Sequence, residues 1–131
     1  MIRFAPVLLL ALGACAAVPA APLPLTGDWG GAHVHLSLTP TGGTVEYDCA
    51  HGTIDQPVIP GSGGRFAALG THVREHGGPV RMGEILPSSP ARYSGAVRGD
   101  RMTLSVEVNG IGAMGPYHLV RGAPPQLYRC L

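Results

Sequence analysis

The chain has 131 residues, 20 of them Gly and 13 Pro, with 13% charged and 5% aromatic residues. From Cys15 onward it keeps 117 residues, room for one small domain, and there 8 Arg face 8 acidic residues, so the net charge is zero. A neutral chain without a basic run argues against nucleic acid, and the composition excludes a coiled coil, a collagen-like chain and a disordered acidic tail.

Residues 1–14 have the parts of an export signal: Arg3, an apolar stretch from Phe4 to Leu12, and small residues after it. The stretch is too short to span a bilayer, which takes about 20 residues, and Pro6 disturbs any helix there. Leu12-Gly13-Ala14-Cys15 resembles the bacterial lipobox, which directs thioether lipidation of its Cys. The alternative is an ordinary signal peptide cut after Ala20. With lipidation, Cys15 becomes the mature N-terminus and holds the protein on a membrane. Ala16 after the Cys is similar to the pattern of lipoproteins sent to the outer membrane, here its periplasmic face. Residues 15–25 are rich in Ala and Pro and read as an extended tether to a single domain over 26–131.

Beyond residue 25, period-two alternation recurs between Gly and Pro clusters, which predicts strands and tight turns. The first run starts at Trp29, with Ala32, Val34, Leu36 and Leu38 alternating with His33, His35, Ser37 and Thr39. After Pro40-Thr41-Gly42-Gly43 the next run puts Val45, Tyr47 and Cys49 on one face. Pairing Thr39 with Thr44 sets Val34 opposite Cys49 and His35 opposite Asp48, with every apolar residue on one face. Arg65 to Glu75 reads as a strand with a bulge or bend at Gly70. Residues 77–90 read as loop, with room for a short strand at Val80–Ile85. Tyr93 to Val97 and Met102 to Val108 form a hairpin about Gly99-Asp100, and Tyr117 to Arg121 makes a last strand before the Pro124-Pro125 tail. Six to eight short strands without strand–helix alternation predict an all-β fold, an antiparallel meander closing as a small barrel.

Three Cys is an odd number, and lipidation of Cys15 leaves Cys49 and Cys130 as a disulfide pair in an oxidising compartment. The opposing reading makes Cys49 a nucleophile beside His51, but this needs a free thiolate, against which export works.

Gly27-Asp28-Trp29 resembles the Gly-x-Trp pattern that opens lipocalins and related small barrels, and the chain length is closer to avidin-like barrels. The resemblance implies that Trp29 plugs one barrel end under a basic residue near the last strand, Arg121 or else Arg129. More broadly, Gly27 to Gly52, Gly64-Arg65-Phe66, His76-Gly77-Gly78-Pro79 and the end from Arg121 resemble an uncharacterised family of exported bacterial lipoproteins. That resemblance implies neither an activity nor site residues.

His33-Val34-His35 would place two imidazoles on one strand face about 6.5–7 Å apart, a zinc arrangement if Asp48 or Glu46 converges. The simpler reading makes them exposed residues, with His35 pairing across strands to Asp48. Gly61-Ser62-Gly63 lacks the strand–Ser–helix setting of a nucleophile elbow, and Ser88-Ser89 lies between prolines. No catalytic residue, cofactor or metal is expected. The expectation is a monomeric, membrane-anchored envelope lipoprotein, non-enzymatic, with a ligand-binding or structural barrel. A cavity among Tyr47, Phe66, Leu104 and Tyr117 would favour ligand binding. The alternatives are a protein-binding module such as a barrel-type protease inhibitor, presenting loop 77–90 or the tail 16–26, and a zinc-dependent enzyme using His33 and His35.

Overall fold

The computed structural model describes residues 1–2, 10–15 and 22–131. The rest of the predicted signal segment and most of the tether therefore lie outside the described residues. Eight strands follow in order: β1 Gly27–Gly31, β2 Val34–Thr39, β3 Gly42–Tyr47, β4 Ala50–Ile54, β5 Arg65–Arg74, β6 Ser88–Arg98, β7 Arg101–Val108 and β8 Gly112–Arg121. Each pairs antiparallel with the next, and β1 pairs with β8 to close the barrel, Trp29 opposite Arg121 and Gly31 opposite Leu119. Closure leaves no free sheet edge, which is how a small all-β domain avoids edge-to-edge association.

Alternation decides which side chains fill the interior. Val34, Leu36 and Leu38 point inward from β2, Val45 and Tyr47 from β3, Phe66 and Ala68 from β5, and Met102, Leu104, Val106 and Val108 from β7. With Trp29, Tyr93 and Leu119 they form one cluster, against which Tyr117 and Met114 pack. Eight strands enclose about as much space as such side chains fill. Tyr47, Phe66 and Leu104, the residues whose cavity would favour ligand binding, are buried members of that cluster, with Tyr117 packed against it.

Several local expectations are corrected. The run from Trp29 is two strands rather than one, because Ala32-His33 turns the chain, His33 with φ 69°. The β2–β3 connection takes only Pro40-Thr41, so Thr39 pairs with Gly42 and Val34 faces Tyr47. That is a slip of two residues, which keeps every apolar side chain on the inner face but moves every partner. Cys49 consequently lies in the Asp48-Cys49 turn, with φ 61°, and not on the inward face. A strand from Ala50 to Ile54 follows that turn, Val80–Ile85 is loop, and the last strand begins at Gly112. Gly70 sits in an unbroken ladder between Ile54 and Ala91. A side chain there would overlap the Thr53 carbonyl oxygen, so close approach explains the glycine. The register shift occurs instead between Leu104 and Val106, against β8.

We call the rim that carries the 39–42, 54–65 and 98–101 connections end A, and the opposite rim end B. After Arg121 the tail leaves end A and runs back along the outside of β1 to end B. Gly122 N–H donates to the Asp28 carbonyl at 2.7 Å, Gln126 N–H to Gly31 at 3.1 Å, and His33 N–H to Gln126 at 2.8 Å. A Cβ at Gly30 would overlap the Ala123 carbonyl, so glycine is what lets the strap lie flat on the strand. The strap ends in the Cys49–Cys130 disulfide, Cα atoms 4.6 Å apart across 81 residues of sequence.

Candidate functional site

Trp29 and Arg121 meet at end A because their strands are register partners. The indole is wholly buried, and the Arg121 guanidinium lies over it, Cζ 4.3 Å from the ring centroid. Arg121 Nη1 also donates to the Thr26 carbonyl at 2.9 Å, and its Nε faces the Asp100 carboxylate at 3.4 Å. The same Thr26 carbonyl accepts a long bond of 3.4 Å from the indole N–H. Arg129, the other basic candidate, belongs to the exposed strap near end B.

At end B the imidazoles pair with carboxylates. His33 bonds Asp48 from the β1–β2 turn, and Asp48 also accepts the Tyr128 N–H at 2.7 Å, tying the strap to the β3–β4 turn. The Tyr128 bond first, then His33, hold the Asp48 carboxyl below its usual range. His51 meets Glu75 at 2.6 Å, and His76 meets Glu84 at 2.7 Å within the long β5–β6 loop. The Gly77 carbonyl and then Glu84 raise the His76 pKa. His35 sits 3.7 Å from both Asp28 and Glu46. His35 is thus opposite Glu46 rather than Asp48, and His33, being in the turn, reaches a different carboxylate. No group of three His, Cys, Asp or Glu that could hold a metal occurs among the described residues.

Inside the barrel towards end B, the His72 ring lies 5.4 Å from that of Tyr47, tilted 54° to it, and Tyr47 lies 5.7 Å from Tyr117. His72 is only 3% exposed. Burial, then the charges of Arg74 and His51, lowers its pKa, so it is neutral at pH 7. Burial, then the neighbouring Tyr93 and Tyr117, pushes the Tyr47 phenol upward. Tyr47 Oη and His72 Nδ1 have no hydrogen-bond partner among the described residues, whereas the Tyr93 hydroxyl donates to the Thr71 carbonyl at 2.6 Å. Nothing in the sequence pattern marks this pair. His72 occupies an inward position of a strand whose other inward residues are apolar.

A ligand-sized space lies outside the barrel. A groove of about 850 Å³ runs over the outer wall of the β3–β4 hairpin, between the β5–β6 loop and the strap. Its apolar walls are Val80 and Leu86 from the loop and Leu127 from the strap, with Glu46, His51 and Glu75 as polar neighbours. The Cys49–Cys130 disulfide forms part of its wall, so the bridge holds one side of the groove against the other. Beyond the groove the loop exposes Met82 (104%) and Ile85 (92%). Because Cys49 is in the disulfide it holds no thiolate, and the Cys49–His51 nucleophile does not form. Ser62 lies in a short 3-10 turn and Ser88-Ser89 open β6, Ser89 opposite His72, and none of the three hydrogen-bonds a histidine among the described residues. Cys15 is exposed and has no disulfide partner.

No protein-family model matches the chain, and neither a curated protein nor a solved structure does so.

Proposed function

We propose that this chain is a non-enzymatic lipoprotein of the bacterial envelope, anchored through Cys15, whose barrel is a rigid frame for a groove that takes an apolar or amphipathic ligand. The observation that carries the reading is the groove of about 850 Å³ beside the disulfide. Its size falls in the range of small-molecule sites, and its mixture of apolar walls and a few polar groups is what such sites use. Leu12-Gly13-Ala14-Cys15 and the exposed, unpaired Cys15 support the anchor, and the disulfide fits an oxidising compartment. The resemblance to exported bacterial lipoproteins and the Gly27-Asp28-Trp29 opening point the same way, with the periplasmic face of the outer membrane as the location.

The exposed Met82 and Ile85 favour a second reading, a protein-binding module such as a barrel-type protease inhibitor, with the loop as the contact segment. One experiment separates the two. A solvatochromic apolar probe should bind the parent and be lost in Val80→Asp/Leu86→Asp, while Met82→Ser/Ile85→Ser should leave its binding intact. Retention of probe binding in the groove variant would reject the groove. For the anchor, Cys15→Ser should move the protein from the membrane to the soluble fraction, and the parent's intact mass should show acyl chains on Cys15. A parent beginning at Ala21 would reject lipidation.

A further inference from the structure

Charge is divided between the halves of the chain. Residues 26–60 hold four carboxylates, Asp28, Glu46, Asp48 and Asp55, and no Lys or Arg. Residues 61–131 hold eight Arg against four carboxylates. Most ion pairs are made by histidine, and Arg121 is the one arginine in an ion pair among the described residues. The remaining arginines of β5–β7 therefore stand unpaired on the wall.

Three of them gather near end A. Arg98 and Arg101 are direct cross-strand partners about the Gly99-Asp100 turn, and Arg65 is the partner of Ala96, one row further down. All three point outward and are exposed, as is His118, the partner of Thr103. Arg98, Arg101 and His118 line a basin of about 390 Å³ together with the small side chains of Ala96 and Thr103, and Arg65 lies beside Ala96 on the neighbouring strand. Like charges placed directly opposite on a sheet destabilise it, so the Arg98–Arg101 pair breaks a local rule with no compensating carboxylate. Asp100 faces Arg121, and Glu107 lies at the other end of β7.

The chain also enters the barrel at this end. Leu25 N–H is fixed to the Val58 carbonyl at 2.7 Å, and Cys15 is ten residues upstream. Ten residues reach at most about 35 Å. Ile59 (41% exposed) and Val120 (39%) stand at the same rim.

We infer that the Arg65–Arg98–Arg101 cluster, with the basin that Arg98 and Arg101 line, docks the barrel, end A first, on the anionic phospholipid headgroups of the membrane. This rests on the anchored reading above, in which the tether brings end A to that surface. A basic side chain near an anionic surface strengthens binding about fivefold, so three amount to roughly a hundredfold. The attraction orients the barrel and leaves the groove at end B facing away from the lipid.

The test uses the full chain carrying Cys15→Ser in every arm, so that binding does not depend on acylation and a failure of lipidation leaves the result readable. Co-sedimentation compares vesicles of phosphatidylcholine with vesicles containing about one-third phosphatidylglycerol. The parent should bind the anionic vesicles more tightly, and Arg65→Gln/Arg98→Gln/Arg101→Gln should remove roughly a hundredfold of that affinity while leaving binding to neutral vesicles unchanged. Circular dichroism and the thermal midpoint confirm that the variant is folded. The matched triple Arg74→Gln/Arg81→Gln/Arg129→Gln, with the same charge change at end B, should lose far less. Equal losses in the two triples, or unchanged binding in the first, would overturn the inference. Displacement by millimolar inorganic phosphate at constant ionic strength would also overturn it, assigning the basin to a soluble anion instead.

Discussion

Trp29→Ala tests the end-A plug most directly. The indole is wholly buried at the barrel rim and is the only Trp in the chain. Truncating a buried Trp or Phe to Ala costs about 3–5 kcal/mol, part transfer and part residual cavity. The cavity here cannot collapse easily, because Trp29 is fixed between Leu36 on β2 and Arg121 on β8 by the two ladders. Arg121 loses the ring beneath its guanidinium, a contact of about 0.5–1 kcal/mol at a half-exposed site. The sum, about 3.5–6 kcal/mol, is comparable to the whole stability of a small domain, about 5–15 kcal/mol. Urea unfolding should be followed by circular dichroism, since the substitution removes the fluorophore. Trp29→Phe retains a ring under Arg121 and should fall between parent and Ala variant. A loss below about 1 kcal/mol in Trp29→Ala with an unchanged denaturant slope would refute the plug.

The strap gives two further predictions. Gly30→Val should displace residues 123–126 and open the Arg121 and Arg129 peptide bonds to trypsin, read by the rate of C-terminal cleavage; an unchanged rate would separate the strap from Gly30. Cys49→Ser/Cys130→Ser should cost roughly 4–5 kcal/mol from the 81-residue separation, and the loss should be matched by adding reductant to the parent. His72 sets a pH dependence. Its folded pKa lies below the ordinary 6.5, so the unfolded chain takes up the proton first. Its contribution is constant above about pH 6.5, and stability falls as the pH drops from there towards the folded pKa. His72→Gln should flatten that limb of the urea midpoint against pH. His76, with a raised pKa, acts oppositely and loses its contribution as pH rises, but on an exposed loop. A midpoint that stays flat from pH 7 to 5 in the parent would count against a buried, neutral His72.

The fold class was legible because period-two alternation is a property of the strand itself. Val34, Leu36, Leu38 and Met102, Leu104, Val106, Val108 mark their inner faces without knowledge of any partner. The pairing of Cys49 with Cys130 was legible too, since only two Cys remain once Cys15 is set aside. Register was not. A shift of two residues preserves both faces, so the composition of β2 and β3 permits either pairing, and the two-residue Pro40-Thr41 turn chose one. The break at Ala32-His33 and the strand Ala50–Ile54 were hidden for the same reason. Alternation continues across a tight turn, and a five-residue strand containing Gly52 carries little pattern. The surface sites depended more on the tertiary fold. The Gly99-Asp100 hairpin already sets Arg98 against Arg101, but only the pairing of β5 with β6 brought Arg65 beside them. The strap's return along β1 made the groove, and closure of β1 on β8 laid Arg121 over Trp29. Local sequence determines which face of a strand is apolar; which strands become neighbours depends on how the whole chain closes.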